Sequence, residues 1–385
     1  LRSKAFLIGI FIVIIASSLI ASTVFFILNE DKRVLSITSD EDLIALNFPG
    51  EGTESNPYII EDYNFGLQEN KIDGYITLLE ISNISKHVII RDNSFDGGHI
   101  GIYVKDVYKG NIKIEENVFN AEYYCFGNIC TNSFYGIKIR GSKNISVEKN
   151  FFPGFNYTGY FYAISVEESR DIVLKNNNIS NAFSAMVVLY SSNLLVESNI
   201  FENNVEIYIE GSSFFTINNN TFENLFRYEF WYSNNIEITN NIIKGRNFEF
   251  GILFHYSGNI LIEGNLISNK SIGIGITSSR EFTIRNNLIV LSQNYGIFLS
   301  ESSFEITIYD NYFINNNLNS SLSQALDNGY FNIWYDVETS HGNYWSDLGE
   351  SDTYSLDGLS ESSDLFPKDE PIKFNVFNSF LFLNI

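Results

Sequence analysis

One eight-residue pattern recurs ten times along this 385-residue chain and constrains its fold more than any other feature. It reads apolar, any, apolar, any, any, Asn, any, apolar. Its asparagines are Asn93, Asn117, Asn150, Asn177, Asn199, Asn220, Asn241, Asn265, Asn287 and Asn311. Successive copies stand 21–24 residues apart, save two longer gaps of 33 and 27. The apolar slots are filled in every copy, as by Ile112, Ile114 and Phe119 around Asn117, or Phe215, Ile217 and Phe222 around Asn220. Eight residues before the first slot most copies carry a second alternating run: Ile137/Ile139, Ile164/Val166, Met186/Val188, Ile207/Ile209, Tyr228/Phe230, Ile252/Phe254 and Ile274/Ile276. Period two in both runs predicts two strands per repeat, each with one buried face. Ser142-Lys143-Asn144, Ser191-Ser192-Asn193 and Ser233-Asn234-Asn235 fall between the two runs and are expected to be turns.

Two stacked architectures show alternating apolar residues followed by Asn. Leucine-rich repeats need Leu at most slots and a helix or turn-rich segment between strands. Here the slots hold mainly Ile, Val and Phe, and Gly, Asn, Ser and Tyr lie between them. A right-handed parallel β-helix fits better: an all-β solenoid of about ten or more coils, each pairing in parallel with the next about 4.8 Å away. The recurring asparagines suit such coils in two ways. Asn tolerates left-handed backbone at a sharp turn, and amides stacked in register bond from coil to coil.

Residues Ala5 to Leu28 form an uncharged, mostly apolar run of 24 residues, long enough to cross a bilayer as a helix. Arg2 and Lys4 precede it and favour a cytoplasmic amino terminus. A cleaved signal peptide is the rival reading, with Ala16-Ser17-Ser18 and Ala21-Ser22 as small residues, but Val24 to Leu28 carry the apolar run past them. A single-pass anchor is therefore expected, holding the membrane through residues 5–28. The expected organisation is a signal-anchor with its flanks over 1–33 and an extracytoplasmic β-helix domain over 34–385. That domain divides into an opening segment 34–75, coils over about 76–335 and a closing segment 336–385. Residues 1–33 hold four basic and two acidic groups. The 24 basic and 46 acidic residues of the chain thus leave 20 and 44 for the exported part, a net −24. That balance excludes nucleic acid as a partner, because such binding needs a basic stripe.

Cys125 and Cys130 share the inserted stretch between Asn117 and Asn150, and in an exported chain they are expected to form a local disulfide. The outward positions of the second alternating run supply the best candidate surface. They are Glu206, Tyr208 and Glu210, then Arg227, Glu229 and Trp231, then Leu253 and His255. Stacking puts Glu210, Trp231 and His255 in one column and Tyr208, Glu229 and Leu253 in the next. A Trp beside carboxylates offers a flat apolar ring to a sugar's C–H face and acceptors to its hydroxyls. The expected ligand-binding residues are Tyr208, Glu210, Arg227, Glu229, Trp231 and His255. Glu210 and Glu229 also have the diagonal spacing of a catalytic carboxylate pair, roughly 7–8 Å between Cα atoms, although no catalytic group is assigned. A second column, Arg91, Glu115, Glu148, Lys175 and Glu197, with Glu263 and Arg285 further along, reads as a solvated ladder of stacked charges. No metal set is visible: His87, His99, His255 and His341 are scattered, and Met186 occupies an inward slot.

The coils resemble the NosD-like, or carbohydrate-binding-and-sugar-hydrolase, right-handed β-helix repeats. Pro49-Gly50-Glu51-Gly52-Thr53 followed by Asn56-Pro57-Tyr58-Ile59-Ile60-Glu61 is similar to the segment that opens archaeal-type members. Gly342-Asn343-Tyr344-Trp345-Ser346-Asp347 is similar to the one that closes them. The resemblance spans about residues 36–372. It implies the β-helix fold and a group that mixes binders, polysaccharide enzymes and accessory proteins. Close members continue past the Trp with an Asp- and Gly-rich stretch. Here Asp352, Asp357, Gly358, Ser360 and Asp364 lack the tight alternation that would imply calcium, and no cofactor is expected. The leading functional reading is a membrane-anchored cell-surface module that binds glycans or envelope components. A glycoside hydrolase or lyase on the same fold and a structural spacer are the alternatives.

Overall fold

The computed structural model describes residues 34–66, 76–120, 133–154, 160–246, 249–317 and 321–369, together with the backbone of Cys125–Phe126 and Ile129–Cys130. Over this span the chain winds into a parallel β-solenoid with three strands per coil rather than two. One coil contains Arg227–Trp231, Asn234–Thr239 and Ile242–Lys244. Its strands pair in parallel with their equivalents one coil before and one coil after. Repetition builds three sheets of 12, 11 and 12 strands, here called first, second and third in their order along a coil. The third strand was not legible as a strand because it is only three residues long, too short for alternation to register. Thr221–Glu223, for example, exposes Thr221 and Glu223 partly and buries only Phe222, the last apolar slot of the repeat.

The alternating residues fill the bore as their period requires. Leu194, Phe215, Ile236, Ile260, Phe282 and Ile306 form one continuous buried column of the second sheet. In the third sheet Phe65, Phe95, Phe119 and Phe152 stack nearly parallel, with ring centroids 4.9, 4.9 and 4.6 Å apart. The ring spacing equals the coil rise, so one coil's packing dictates the next coil's.

Two buried polar ladders run beside this apolar core. The ten repeat asparagines form the first. Asn220 Nδ2 shares its protons among Val196 O (2.8 Å), Asn218 O (3.0 Å) and Asn241 Oδ1 (3.0 Å). Its own Oδ1 accepts the Asn199 backbone N–H (2.8 Å) and Nδ2 (3.0 Å). The same pattern bridges the 33-residue gap, where Asn117 Nδ2 reaches Asn150 Oδ1 at 3.0 Å. The ladder asparagines do not adopt the left-handed turn themselves; the residue before each one does, from Asp92 and Glu116 through Asn219 and Asn240 to Asp310. The second ladder is of serine, at positions expected to be simple turns. The backbone N–H groups of Ser142, Ser169, Ser191, Ser212, Ser233 and Ser257 each donate to the hydroxyl of the serine one coil on, ending at Ser279. Each of these hydroxyls turns back to the carbonyl two residues before it.

Both ends of the bore are covered. Leu35–Ile37 already joins the first sheet beside Thr77–Ser82, so coiling begins well before residue 76. Among the described residues one α-helix, Asp40–Leu46, buries Leu43 at this end. Ser39 caps it by accepting the Asp42 N–H, and three acidic residues occupy its first turn, where the helix dipole favours them. Gly50 then turns at φ +111°, with the place of a side chain taken by Pro57 O 2.0 Å away, and Tyr58–Glu61 starts the second sheet. At the far end Asn343 extends the ladder by one rung and donates to Asp364 Oδ2 through its backbone N–H (2.7 Å). Trp345 Nε1 reaches the same carboxylate at 2.9 Å. Phe313, Trp345 and Tyr354 stack over the opening at 4.2 and 4.0 Å. Coiling therefore runs beyond residue 335 to Tyr344–Trp345.

The expected membrane segment, residues 1–33, lies outside the described residues; among those described, no helix is long and apolar enough to cross a bilayer. The backbones of Cys125 and Cys130 face each other in a short antiparallel pair. Their side chains, and hence the disulfide, lie outside what is described.

The ladder makes a graded prediction for urea unfolding. Asn220→Ala removes the acceptor of the buried Asn199 backbone N–H and the side-chain donor to the Val196 and Asn218 carbonyls, and should cost about 3 kcal/mol or more. Ile217→Asp, which puts a carboxylate in the bore, should be at least as damaging. Asn218→Asp, on the outward side of the same strand, should stay within about 1 kcal/mol.

Candidate functional site

The candidate patch lies on the outward face of the first sheet, over Ser184–Leu189, Glu206–Glu210, Arg227–Trp231 and Phe250–His255. Inward Ile207, Ile209, Tyr228 and Phe230 are buried in the bore, so the residues between them must point outward. The pairing register matches the expected columns. Glu206 stands opposite Arg227, Tyr208 opposite Glu229 and Glu210 opposite Trp231; Glu229 then faces Leu253 and Trp231 faces His255. All six expected binding residues therefore share one patch.

Their contacts alter one part of the reading. Trp231 does not lie as a free platform. One of its faces stacks on the His255 ring, with centroids 3.9 Å apart at 21°, and its Nε1 donates to Glu229 Oε2 at 3.2 Å. Glu210 accepts the Tyr208 hydroxyl at 2.8 Å and the Tyr190 hydroxyl at 3.3 Å. Both carboxylates of the diagonal pair are thus engaged as acceptors by aromatic side chains. Arg227 is exposed beside half-buried Glu206, whose carboxyl is pushed up by burial against the opposing pull of Arg227. Burial also raises the Tyr208 phenol, with Glu210 adding to the shift. His255 moves the other way: burial disfavours its cationic form, and Glu229 offsets this only partly.

Three residues of the patch escaped the sequence reading. Tyr190, Tyr232 and Tyr256 follow the outward column at the corner before the serine ladder and are 62, 54 and 51% exposed. Tyr232 and Tyr256 stack at 5.0 Å and 8°, and Trp231 lies 6.2 Å from each. The available signal was the repeated Tyr-Ser at 190–191, 232–233 and 256–257. It was hidden because a corner residue breaks the alternation used to assign faces.

Elsewhere the charged column behaves as a surface ladder, with Arg91 on Glu61 (2.6 Å), Lys113 on Glu115 (2.9 Å), Lys175 on Glu197 (2.6 Å) and Arg285 on Glu263 (3.0 Å). Lys270 is wholly buried, donating to Leu225 O at 3.0 Å and pairing with Glu249 at 3.4 Å. Burial pulls its ammonium below the usual range, and it is closed to any substrate. Among the described residues no three of His, Cys, Asp and Glu come together as metal ligands. Met186 is sealed in the bore, and His99 Nδ1 accepts the Ile76 N–H at 3.1 Å. Within the closing segment, Asp357 accepts the Ser323 N–H and Asp364 caps the asparagine ladder.

The family model described as periplasmic copper-binding protein (NosD) matches residues 157–350, and that of the right-handed β-helix region matches residues 78–232. No curated protein has a significantly similar sequence. A polysaccharide lyase family 6 alginate lyase solved with a trisaccharide superposes at TM-score 0.54 and 13% identity, over 88% of each chain. A variant of the periplasmic alginate epimerase AlgG gives TM-score 0.45 at 11% identity, over 79% of this chain and 84% of that one. The A-module of the Azotobacter vinelandii mannuronan C-5 epimerase AlgE4 gives 0.35 at 13%, over 73% and 87%. At these identities the likeness is one of fold.

The Trp231–His255 stack predicts a pH-dependent signal. The His255 pKa is lower in the folded chain than in the unfolded one. Its contribution to stability is therefore complete above the ordinary histidine value and is lost as pH falls through and below it. Tryptophan emission should change with a midpoint below 6.5, the ordinary value, as His255 gains its proton against the indole. That component should be missing in His255→Gln.

Proposed function

The chain belongs to the NosD family of right-handed β-helix proteins, and we propose that it serves as an extracytoplasmic carbohydrate-binding module tethered to the membrane through residues 5–28. The observation that carries this reading is the cluster of Trp231, His255, Tyr232 and Tyr256 beside Glu210 and Glu229. Aromatic rings with fixed acceptors next to them are what a sugar's C–H faces and hydroxyls require. Residues so held lose little side-chain freedom on binding. The periplasmic setting in the family's description and the 24-residue apolar run support a location outside the cytoplasm.

Copper, which the family's description names, does not fit the described residues of this chain. Its histidines are dispersed, the thioether of Met186 is enclosed by the bore, and His255 is committed to Trp231. Glu210 and Glu229 are held as hydrogen-bond acceptors, an arrangement that favours binding over turnover.

Binding of soluble polysaccharides to the full-length protein tests the proposal. Trp231→Ala should weaken binding about tenfold or more, on the order of 1.4 kcal/mol, without lowering the melting temperature of the bore. Glu210→Gln and Glu229→Gln should weaken it less. Release of reducing ends by the wild-type protein, abolished in either Gln variant, would make the chain an enzyme instead. Failure to bind any polysaccharide would leave the spacer reading.

The cysteines add a second expectation. Cys125 and Cys130 lie opposite each other across an antiparallel pair, where Cα atoms are about 4.5–5.5 Å apart, within disulfide reach. In protein isolated without reductant neither should take up a thiol label, and both should do so after reduction.

A further inference from the structure

The third sheet changes character along the solenoid. In its three-residue strands the middle residue faces the bore and the two flanking ones face outward. One outward column runs Glu202, Glu223, Lys244 and then turns to Ser268, Val290 and Ile314. The other runs Ile242, Leu266, Leu288, Tyr312 and Tyr344. No charged residue stands on Leu266–Ser268, Leu288–Val290, Tyr312–Ile314 or Tyr344–Trp345. Burial changes at the same place. Farther back, outward Phe151 and Ile200 are 43 and 46% exposed. Leu266 and Val290 are only 8% exposed and Tyr312 only 1%, although they face outward in the same register. A large apolar side chain on a bare sheet keeps much of its surface in water, so this stretch is covered. Lys368 accounts for the head of it. Its ammonium stands 5.6 Å over the Tyr312 ring and pairs with Asp310 Oδ1 at 2.5 Å. Leu266 lies two coils farther along, about 9.6 Å from Tyr312.

We infer that the chain's own residues 370–385 fold back from Lys368 and lie as a strap over this stripe, on Tyr312, Leu288, Leu266 and Ile242. Lys368 fixes the point of departure at the head of the column: it bridges Tyr344 in parallel, and its backbone N–H bonds Asn343 O at 2.9 Å. The segment has the matching chemistry. Residues 372–385 hold nine apolar side chains, four of them Phe, and beyond Glu370 the one charged residue is Lys373. It also has the reach. From Tyr344 to Ile242 is four coil steps, about 19 Å, a distance that about 13 residues span as a helix and about six as a strand. The uncharged face stops where Lys244 and Glu223 begin, which sets how far an apolar strap extends. A tethered segment acts at an effective concentration on the order of millimolar, so it occupies the stripe ahead of a second copy or a free apolar partner.

The test places photoreactive benzoylphenylalanine at position 288 of the 385-residue chain, held in lipid nanodiscs, and identifies the cross-link by peptide mass spectrometry. The expected product is a link within one chain to residues 370–385. A link to a second copy, a link to lipid, or no link to 370–385 overturns the proposal. In the same discs the amides of 372–383 should exchange about tenfold or more slowly than those of an unstructured chain. Leu266→Glu, which sets a charge beneath the strap, should remove this protection and leave the melting temperature of the bore unchanged. Exchange as fast as in an unstructured chain in wild type, or protection that survives Leu266→Glu, means that the segment does not rest on the stripe. A chain stopped after Asp369 gives an independent reading and stands in if Leu266→Glu folds poorly. Its Leu266 and Leu288 side chains should be oxidised by hydroxyl radicals about threefold or more faster than in the whole chain, as newly exposed apolar surface. Equal oxidation in the two chains overturns the proposal.

Discussion

Coils of unequal length must stack without slipping, and the buried amide ladder is what holds them. A ladder asparagine such as Asn220 spends its side chain on its own coil's carbonyl, on the preceding coil's strand and on the asparagine of the next coil. A slip of one residue would leave all of these groups unpaired in a dry interior, at roughly 1–3 kcal/mol each. The apolar columns alone could not enforce this, since Ile, Val and Phe pack acceptably in several offsets. Because the ladder sets the offset, the rung from Asn117 to Asn150 has the same length as the others despite the longer chain between them. Variation is confined to what loops out from the corners.

A ladder must also end. Asn93 Oδ1 accepts the Tyr63 N–H at the opening end, and at the other end the Asp364 carboxylate receives the last asparagine and the Trp345 indole. A carboxylate accepts without needing to donate, so it terminates a chain of donors that another amide would only prolong. The Gly-Asn-Tyr-Trp-Ser-Asp segment follows from this geometry. Gly342 lets Asp364 approach, Asn343 is the last rung, Trp345 covers the bore, and Asp347 holds Gln324 and Tyr354.

A solenoid of this kind has a rigid exterior, on which function depends on which side chains come to lie one coil apart. At Glu210, Trp231 and His255 the scaffold aligns an acceptor, an indole and an imidazole in consecutive coils. The surrounding carboxylates keep the patch acidic, and this separates it chemically from a face made to hold a polyanion.

The sequence by itself determined the repeat, the inward set, the outward columns and the identity of the ladder asparagines, because each depends only on a period of two within a strand and a recurring interval between strands. The closing segment around Gly342–Asp347 was suggested by its resemblance to the one that ends such β-helices. Tertiary structure decided the rest. The third strand is too short to show a period. The serine ladder looks like turns until the next coil supplies its partners. The left-handed residue proves to be the one before each asparagine because the amide must point inward. Trp231 lost its standing as a free platform to His255, 24 residues later, and Tyr190, Gly211 and Tyr232 became neighbours only when three corners stacked. Local alternation is written in one strand at a time, whereas what a side chain touches along the axis depends on coils that the chain has yet to reach.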